Sequence, residues 1–248
     1  EEVVLNVQGF VLRTALPPII SAGQLTKNPS TAKQSLVLTG LGCELFDRSV
    51  KAVIEFHSRL ASHLPTDSLT SWKPLVVDQF LCLELSNRYV TPSHLAASYD
   101  SATFDESIDP FGLLRAKVIG QRTDDNIVLY YERILDHDKS YKYLVAKPVQ
   151  VKVGHIVEAQ VSFCAVPISK GRYMMLSKLR SVCILDQTIY KMLKTSAQGE
   201  TKRLKRKIGY NVIQGSDDAT QALKRMRLGQ ENSVVIGESE KDMVTDNM

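Results

Sequence analysis

The stretch "GHIVEAQVSFCAVPISKGRYMMLSKLRSVCIL", residues 154–185, constrains this chain most, because it reads as one long β-hairpin. In its first arm Val157, Ala159, Val161, Phe163 and Ala165 share one side, and Glu158, Gln160 and Ser162 take the other. That two-residue period is the mark of a half-buried strand. Pro167 ends the arm or marks an edge, and "SKGR" turns the chain with Gly171 suited to a positive φ. In the second arm Met174, Leu176, Lys178, Arg180, Val182 and Ile184 share one parity. Tyr173, Met175, Ser177, Leu179, Ser181 and Cys183 share the other, so neither side is cleanly apolar. A bulge near Ser177 and Lys178 restores the pattern by shifting its phase. It would also gather Lys170, Arg172, Lys178 and Arg180 into a basic strip beside Tyr173.

A hairpin of this length needs neighbours, and the chain supplies candidates at regular intervals. "LLRAKVIGQ", "NIVLYYERIL" and "YKYLVAKPVQVKVG" precede it, separated by "RTDDN" and "DHDKS". Asp and Asn in such spacers bond back to their own backbone and favour tight turns. Four or five short strands over 113–186 predict an antiparallel barrel or sandwich of OB-like size. Upstream, "VVLNVQGFVLR" and "SLVLTGLG" read as strands, and "PLVVDQFLCLELS" as a buried strand or a short helix. The clearest helix is "FDRSVKAVIEFHSRLASHL", with Val50, Val53, Ile54, His57, Leu60, Ala61 and Leu64 on one face. Asp47 or Ser49 can cap it, and Pro65 stops it. "TPSHLAASY" predicts a short helix capped by Thr91 with Pro92 in its first turn.

The fold class expected is therefore α+β: a mixed part over 1–97, a linker over 98–112 and a β-rich OB-like part over 113–190. A basic, mostly disordered tail over 191–248 follows, with a short helix near 217–228. With 248 residues, 44% hydrophobic and 23% charged, most of the chain can bury a core. The net charge of +4 is unevenly spread. Residues 1–96 hold eight bases and eight acids, whereas seven of the eleven bases after residue 190 fall within 191–207. That pattern argues for a local positive patch and against a whole-surface field.

Enzymatic chemistry finds little support. No G-x-S-x-G, H-E-x-x-H, Walker or G-x-G-x-x-G pattern occurs. His57 lies on the apolar side of the predicted helix, where a satisfied core histidine is expected. Asp136, His137 and Asp138 are adjacent on a turn and point apart. Asp78, Glu84 and Asp109 could be assembled into a dispersed nuclease or transposase carboxylate set, which is kept as a third reading. Cys43, Cys82, Cys164 and Cys183 form no C-x-x-C pair, so they read as packed thiols and no metal or other cofactor is expected. No apolar run approaches the length of a membrane span, and the acidic N-terminus does not resemble a secretory leader.

Binding chemistry finds more. Single-strand binders combine a basic groove with aromatic platforms on which bases stack. Lys170, Arg172, Tyr173, Lys178 and Arg180 are the candidate nucleic-acid contacts, with Tyr130, Tyr131, Tyr141 and Tyr143 on earlier strands. Lys202, Arg203, Lys205, Arg206 and Lys207 match the basic cluster that nuclear import receptors read.

The stretches "DPFGLLRAKVIGQRTDDNIVLYYERI", "IVEAQVSFCAVPISKGRYMMLSKLRSVCILD" and "KRLKRKIGY", spanning about 109–210, resemble uncharacterised proteins that mushroom-forming fungi carry in many copies. The resemblance suggests a link to mobile elements and fits a nuclear protein, but brings no activity and no site residue with it. The leading expectation is a non-catalytic nuclear protein that binds nucleic acid, single strands included, through the β-rich part and the tail. The alternative is a protein-interaction or structural module, and the alternative location is the cytoplasm. Oligomeric state is left open.

Overall fold

The computed structural model describes residues 2–25 and 28–199, all within one unit, Glu1–Thr201. The basic cluster at 202–207 and the helix expected at 217–228 lie outside the described residues. In chain order the elements are β1 (Leu5–Ala15), β2 (Lys33–Thr39), α1 (Glu44–Ser62), β3 (Leu75–Val77) and β4 (Phe80–Arg88). Next come α2 (Ser93–Ala96), α3 (Leu113–Lys117), β5 (Leu129–Leu135), β6 (Tyr141–Val145), β7 (Ile156–Pro167), β8 (Tyr173–Asp186) and α4 (Thr188–Gly199). Among the described residues, no helix is long and apolar enough to cross a membrane.

The strands form one sheet in the order β3-β4-β2-β1-β7-β8-β5-β6, and β4 also meets β8 in parallel at Ser86 and Lys178. That contact closes β1, β2, β4, β7 and β8 into a five-stranded barrel. Around the barrel its strands, counted in chain order, run 1-2-3-5-4, with the parallel contact between the third and fifth. This is the Greek-key connectivity of an OB-like barrel. The barrel therefore exists, but it draws its strands from both sides of residue 97 rather than from 113–186 alone. Residues 1–97 supply three of the five strands. "LLRAKVIGQ" is not a barrel strand: α3 occupies its first half.

Alternation fills the barrel. Leu36, Leu38, Leu83, Leu85, Val157, Ala159, Val161, Leu179, Val182 and Ile184 are all buried in one core cluster. The segment expected to be a linker is packed rather than free. Ile108 joins a second cluster with Ile19, Ala32, Tyr89 and Leu114, and the fully buried Asp109 accepts from the Leu114 and Arg115 backbone N–H groups. Residues 191–199, expected as tail, continue α4.

The hairpin forms as read, with β7 and β8 paired antiparallel from Ile156–Asp186 to Pro167–Tyr173. Of its two phase shifts, one leaves Leu185 extra near the strand end, and the one expected at Ser177 and Lys178 lies at Arg180. Gln160 pairs with Ser181 and Val161 with Leu179, so Arg180 is the extra residue. Met175 and Leu179 are buried before the bulge, Val182 and Ile184 after it. The hydrophobic pattern thus needs a slip, and the inward-facing Leu179 sets where it falls.

Helix α1 covers one end of the barrel with Phe46, Val50 and Val53. The inner face is largely the one expected, with Val50 and Val53 buried and His57, Leu60, Ala61 and Leu64 half-buried; Ile54 alone of that face is exposed, and Phe56 packs on Phe163 with ring centroids 5.4 Å apart. His57 Nε2 lies 3.0 Å from the Thr70 carbonyl, a satisfied boundary histidine. Neither Asp47 nor Ser49 caps the helix, whose N-cap is Cys43. Thr91 is no cap either: its buried hydroxyl bonds to Thr123 and Asn126, which ties the start of the long β4–β5 connection to its end.

Phe46 reaches the barrel because Gly40 has no side chain. A Cβ there would sit 2.5 Å from the Phe46 Cβ. Gly40→Ala is expected to push α1 off the barrel end and cost about 1–3 kcal/mol, measurable as a lowered urea midpoint.

Candidate nucleic-acid interface

Fourteen residues of β8 span about 46 Å at about 3.3 Å per residue, enough for two different partners along one edge. Near Lys178 that edge meets β4, and over residues 181–184 it pairs in parallel with β5. The two neighbours part at this point, leaving a fork that must be satisfied. Asp125, in the turn leading to β5, fills it. Its carboxylate accepts from Lys178 Nζ at 3.0 and 2.9 Å and from Arg180 Nη2 at 2.8 Å. Its carbonyl accepts from Arg180 Nη1 and from Asn87 Nδ2, both at 2.8 Å, and Asn87 also donates to the Leu179 carbonyl at 3.2 Å. Glu2 completes the cluster by accepting from Arg180 and from the Ser162 hydroxyl.

Burial alone would raise the Asp125 carboxyl, but hydrogen bonds from Lys178 and Arg180 outweigh it and hold the group below the usual carboxylate range. Glu2 is lowered in the same way, with burial opposed by Arg180 and Ser162. The four bases of the hairpin therefore do not form one free strip. Lys178 and Arg180 are 18% and 16% exposed and committed to carboxylates. Lys170 and Arg172 are exposed at the turn, where Lys170 takes a positive φ of 62° beside Gly171 at 67°. Tyr173 is half-buried and held by its backbone, whose N–H donates to Ser68 and whose carbonyl accepts from Thr70.

The tyrosines separate by parity. Tyr130 turns inward, where its hydroxyl donates to Gln34 Oε1 at 2.8 Å and burial pushes its phenol far up. Tyr131 turns outward. It stands opposite Cys183 of β8 and Val145 of β6, while Arg133 pairs with Tyr143 and Leu135 with Tyr141. One exterior face thus carries Tyr131, Arg133, Tyr141 and Tyr143. Tyr141 is 58% and Tyr143 61% exposed, and the Arg133 guanidinium lies 4.4 Å from the Tyr141 ring centroid.

Where this face meets the barrel, Tyr131, Tyr143, Glu158, Gln160, Ser181 and Cys183 line an open hollow of about 300 Å³. The Ser181 hydroxyl donates to Gln160 Oε1 at 2.8 Å, and Gln8 donates to Glu158 at 2.8 Å. The face offers flat aromatic surface, a delocalised cation and amide and hydroxyl groups, which is the chemistry that stacking on a base requires.

The outer side of β2 and β4, where OB-like barrels commonly hold oligonucleotides, is plainer. Lys33 pairs there with Glu84 at 2.9 Å, and Arg88 is exposed, as is Arg13 on the adjoining β1, but no tyrosine stands on β2 or β4. Asp78, Glu84 and Asp109 do not meet: Asp78 is in the β3–β4 turn, Glu84 holds Lys33 and Asp109 caps α3. Among the described residues no group of three or more His, Cys, Asp or Glu side chains is placed to hold a metal. The four cysteines are free, and Cys164 and Cys183 face Leu176 and Glu158 rather than each other.

Sequence reasoning missed Arg133, Asp125 and Glu2. The two-residue spacing of Tyr131 with Arg133, and of Tyr141 with Tyr143, was a usable signal for a shared side. No local signal marks Asp125 as the partner of residues more than fifty positions away.

Replacing Asp125 by Asn is expected to cost about 2 kcal/mol, below the range for fully buried pairs because all three side chains keep some exposure. Its depressed pKa adds stability at pH values above about 4, lost as pH falls through the folded value. The urea midpoint of the natural chain should therefore drop more steeply as the pH falls below about 4 than that of the variant.

No family model matches the sequence, and no curated protein matches it. A search of solved structures finds similarity to the crystal structure of gp2.5, a single-stranded DNA binding protein encoded by bacteriophage T7. The two are 9% identical with a TM-score of 0.40, over 75% of this chain and 87% of that one.

Proposed function

We propose that this protein is a non-catalytic, nuclear nucleic-acid-binding protein that holds single strands on the exterior face of β5 and β6. The observation that carries the reading is the group of Tyr131, Arg133, Tyr141 and Tyr143 on one exposed face of a sheet continuous with the barrel. Duplexes hide their base faces, so such a surface favours unpaired strands. Lys170 and Arg172 and the bases of the 202–207 cluster supply phosphate contacts, and that cluster also supports nuclear import.

Fluorescence anisotropy with labelled single- and double-stranded oligonucleotides at two salt concentrations tests the reading. Single strands should bind more tightly, and affinity should fall with salt by about 0.7 log units per log salt for each phosphate engaged. Tyr143→Ala and Tyr141→Ala should each weaken binding about 5- to 100-fold, as loss of one stacked base does. Equal affinity in all variants would remove the tyrosine face from the account.

A second reading is favoured by β6 itself. It is the outer strand of the sheet, and all five of its residues are exposed. Such an edge can pair with a strand of another protein. Light scattering separates the two: this reading predicts self-association that Val145→Pro disrupts, with oligonucleotide affinity unchanged.

A further inference from the structure

Beneath the long β4–β5 connection, around the start of β5, lies a cavity of about 520 Å³. Its polar lining includes Gln34, Ser101, Thr103, Asp105, Arg122 and Tyr130, and the rest of the wall is largely apolar. The volume falls within the range of small-molecule sites.

Arg122 is the anomaly. It is only 7% exposed, yet its Nε and Nη1 are buried without a hydrogen-bond partner among the described residues. No carboxylate of the described residues forms an ion pair with it. Asp105 is in electrostatic reach, but its Oδ1 accepts from the Ser107 N–H at 2.7 Å and the Ser107 hydroxyl at 2.5 Å. The position is fixed rather than loose. Ala102 N–H donates to the Arg122 carbonyl at 2.9 Å, and the guanidinium lies 5.2 Å from the Phe104 ring centroid. Tyr89, also within electrostatic reach, has a buried hydroxyl that lacks a partner as well.

A buried guanidinium left unpaired costs several kcal/mol, because its hydration is lost and nothing replaces it. The planar fork of Nε and Nη groups matches two oxygens of one oxyanion. We infer that this cavity binds a small ligand by an oxyanionic head, phosphate or carboxylate, seated on Arg122, with an apolar body against the rest of the wall. Tyr130 and Gln34, already bonded to each other, border the head. The site stands apart from strand binding, since Tyr130 faces inward where Tyr131 faces outward.

Titration calorimetry and thermal unfolding of the full chain test it, with sodium phosphate and sodium benzoate as probes against sodium chloride at equal ionic strength. At least one probe should bind one-to-one and raise the melting temperature. Phosphate alone would name a phosphate ester as ligand class, benzoate alone a carboxylate. Arg122→Met should weaken binding at least ten-fold, and Arg122→Lys, which keeps the charge but loses the fork, should weaken it less. On the natural chain, the Arg122 Nε–H resonance should shift on titration, a readout that needs no variant to fold. No one-to-one binding of either anion, undiminished binding in Arg122→Met, or an unmoved Arg122 resonance would overturn the inference.

Discussion

The cluster around Asp125 decides what this molecule is. Strand β8 is shared between a barrel and an extension, and a strand edge can serve two neighbours only where something fills the gap as they part. Asp125 does so with its carboxylate on Lys178 and Arg180 and its carbonyl on Arg180 and Asn87. β4, β5 and β8 are tied at one point. Without Asp125, β4 and β8 would be left with their single parallel ladder contact at Ser86 and Lys178 and the Asn87–Leu179 hydrogen bond.

From the fork follows the exterior face. Because β5 enters in parallel beside residues 181–184, Tyr131 stands opposite Cys183 and the β5–β6 hairpin runs out past the barrel wall. Its inward side is used for packing, by Tyr130 on Gln34. Its outward side is covered by none of the described residues, and there the chain places aromatic rings and a guanidinium. Large exposed apolar surface is costly to keep and usually marks contact with something else. The bases that first suggested phosphate binding, Lys178 and Arg180, turn out to build the platform, while the residues on the platform are those of β5 and β6.

Much of this was legible in the residues. The β7–β8 hairpin and the need for a bulge follow from two-residue alternation in 154–185, and the OB-like barrel from short strands at regular spacing over 113–186. What could not be read was pairing between distant strands. Alternation states that a segment is a strand with one wet face, not which strand lies beside it, so the barrel was placed within 113–186 although three of its strands precede residue 97. "LLRAKVIGQ" misled because a short apolar run suits a strand or a helical turn equally. The β3–β4 hairpin was obscured because its turn is Asp78–Gln79, at φ 48° and 70°, rather than the Asn-Gly or Asp-Gly that usually announces one. The ion cluster was invisible for the same reason as the barrel: Asp125 looked like turn chemistry, and its partners are far along the chain.

The claim that the exterior tyrosines hold single strands is tested most directly by tyrosine-selective nitration read by mass spectrometry, with and without a saturating oligothymidylate. Tyr141 and Tyr143 should be protected by the oligonucleotide, while Tyr99, 41% exposed in the β4–β5 connection, reacts equally in both samples. Undiminished nitration of Tyr141 and Tyr143 with the strand bound would contradict the account.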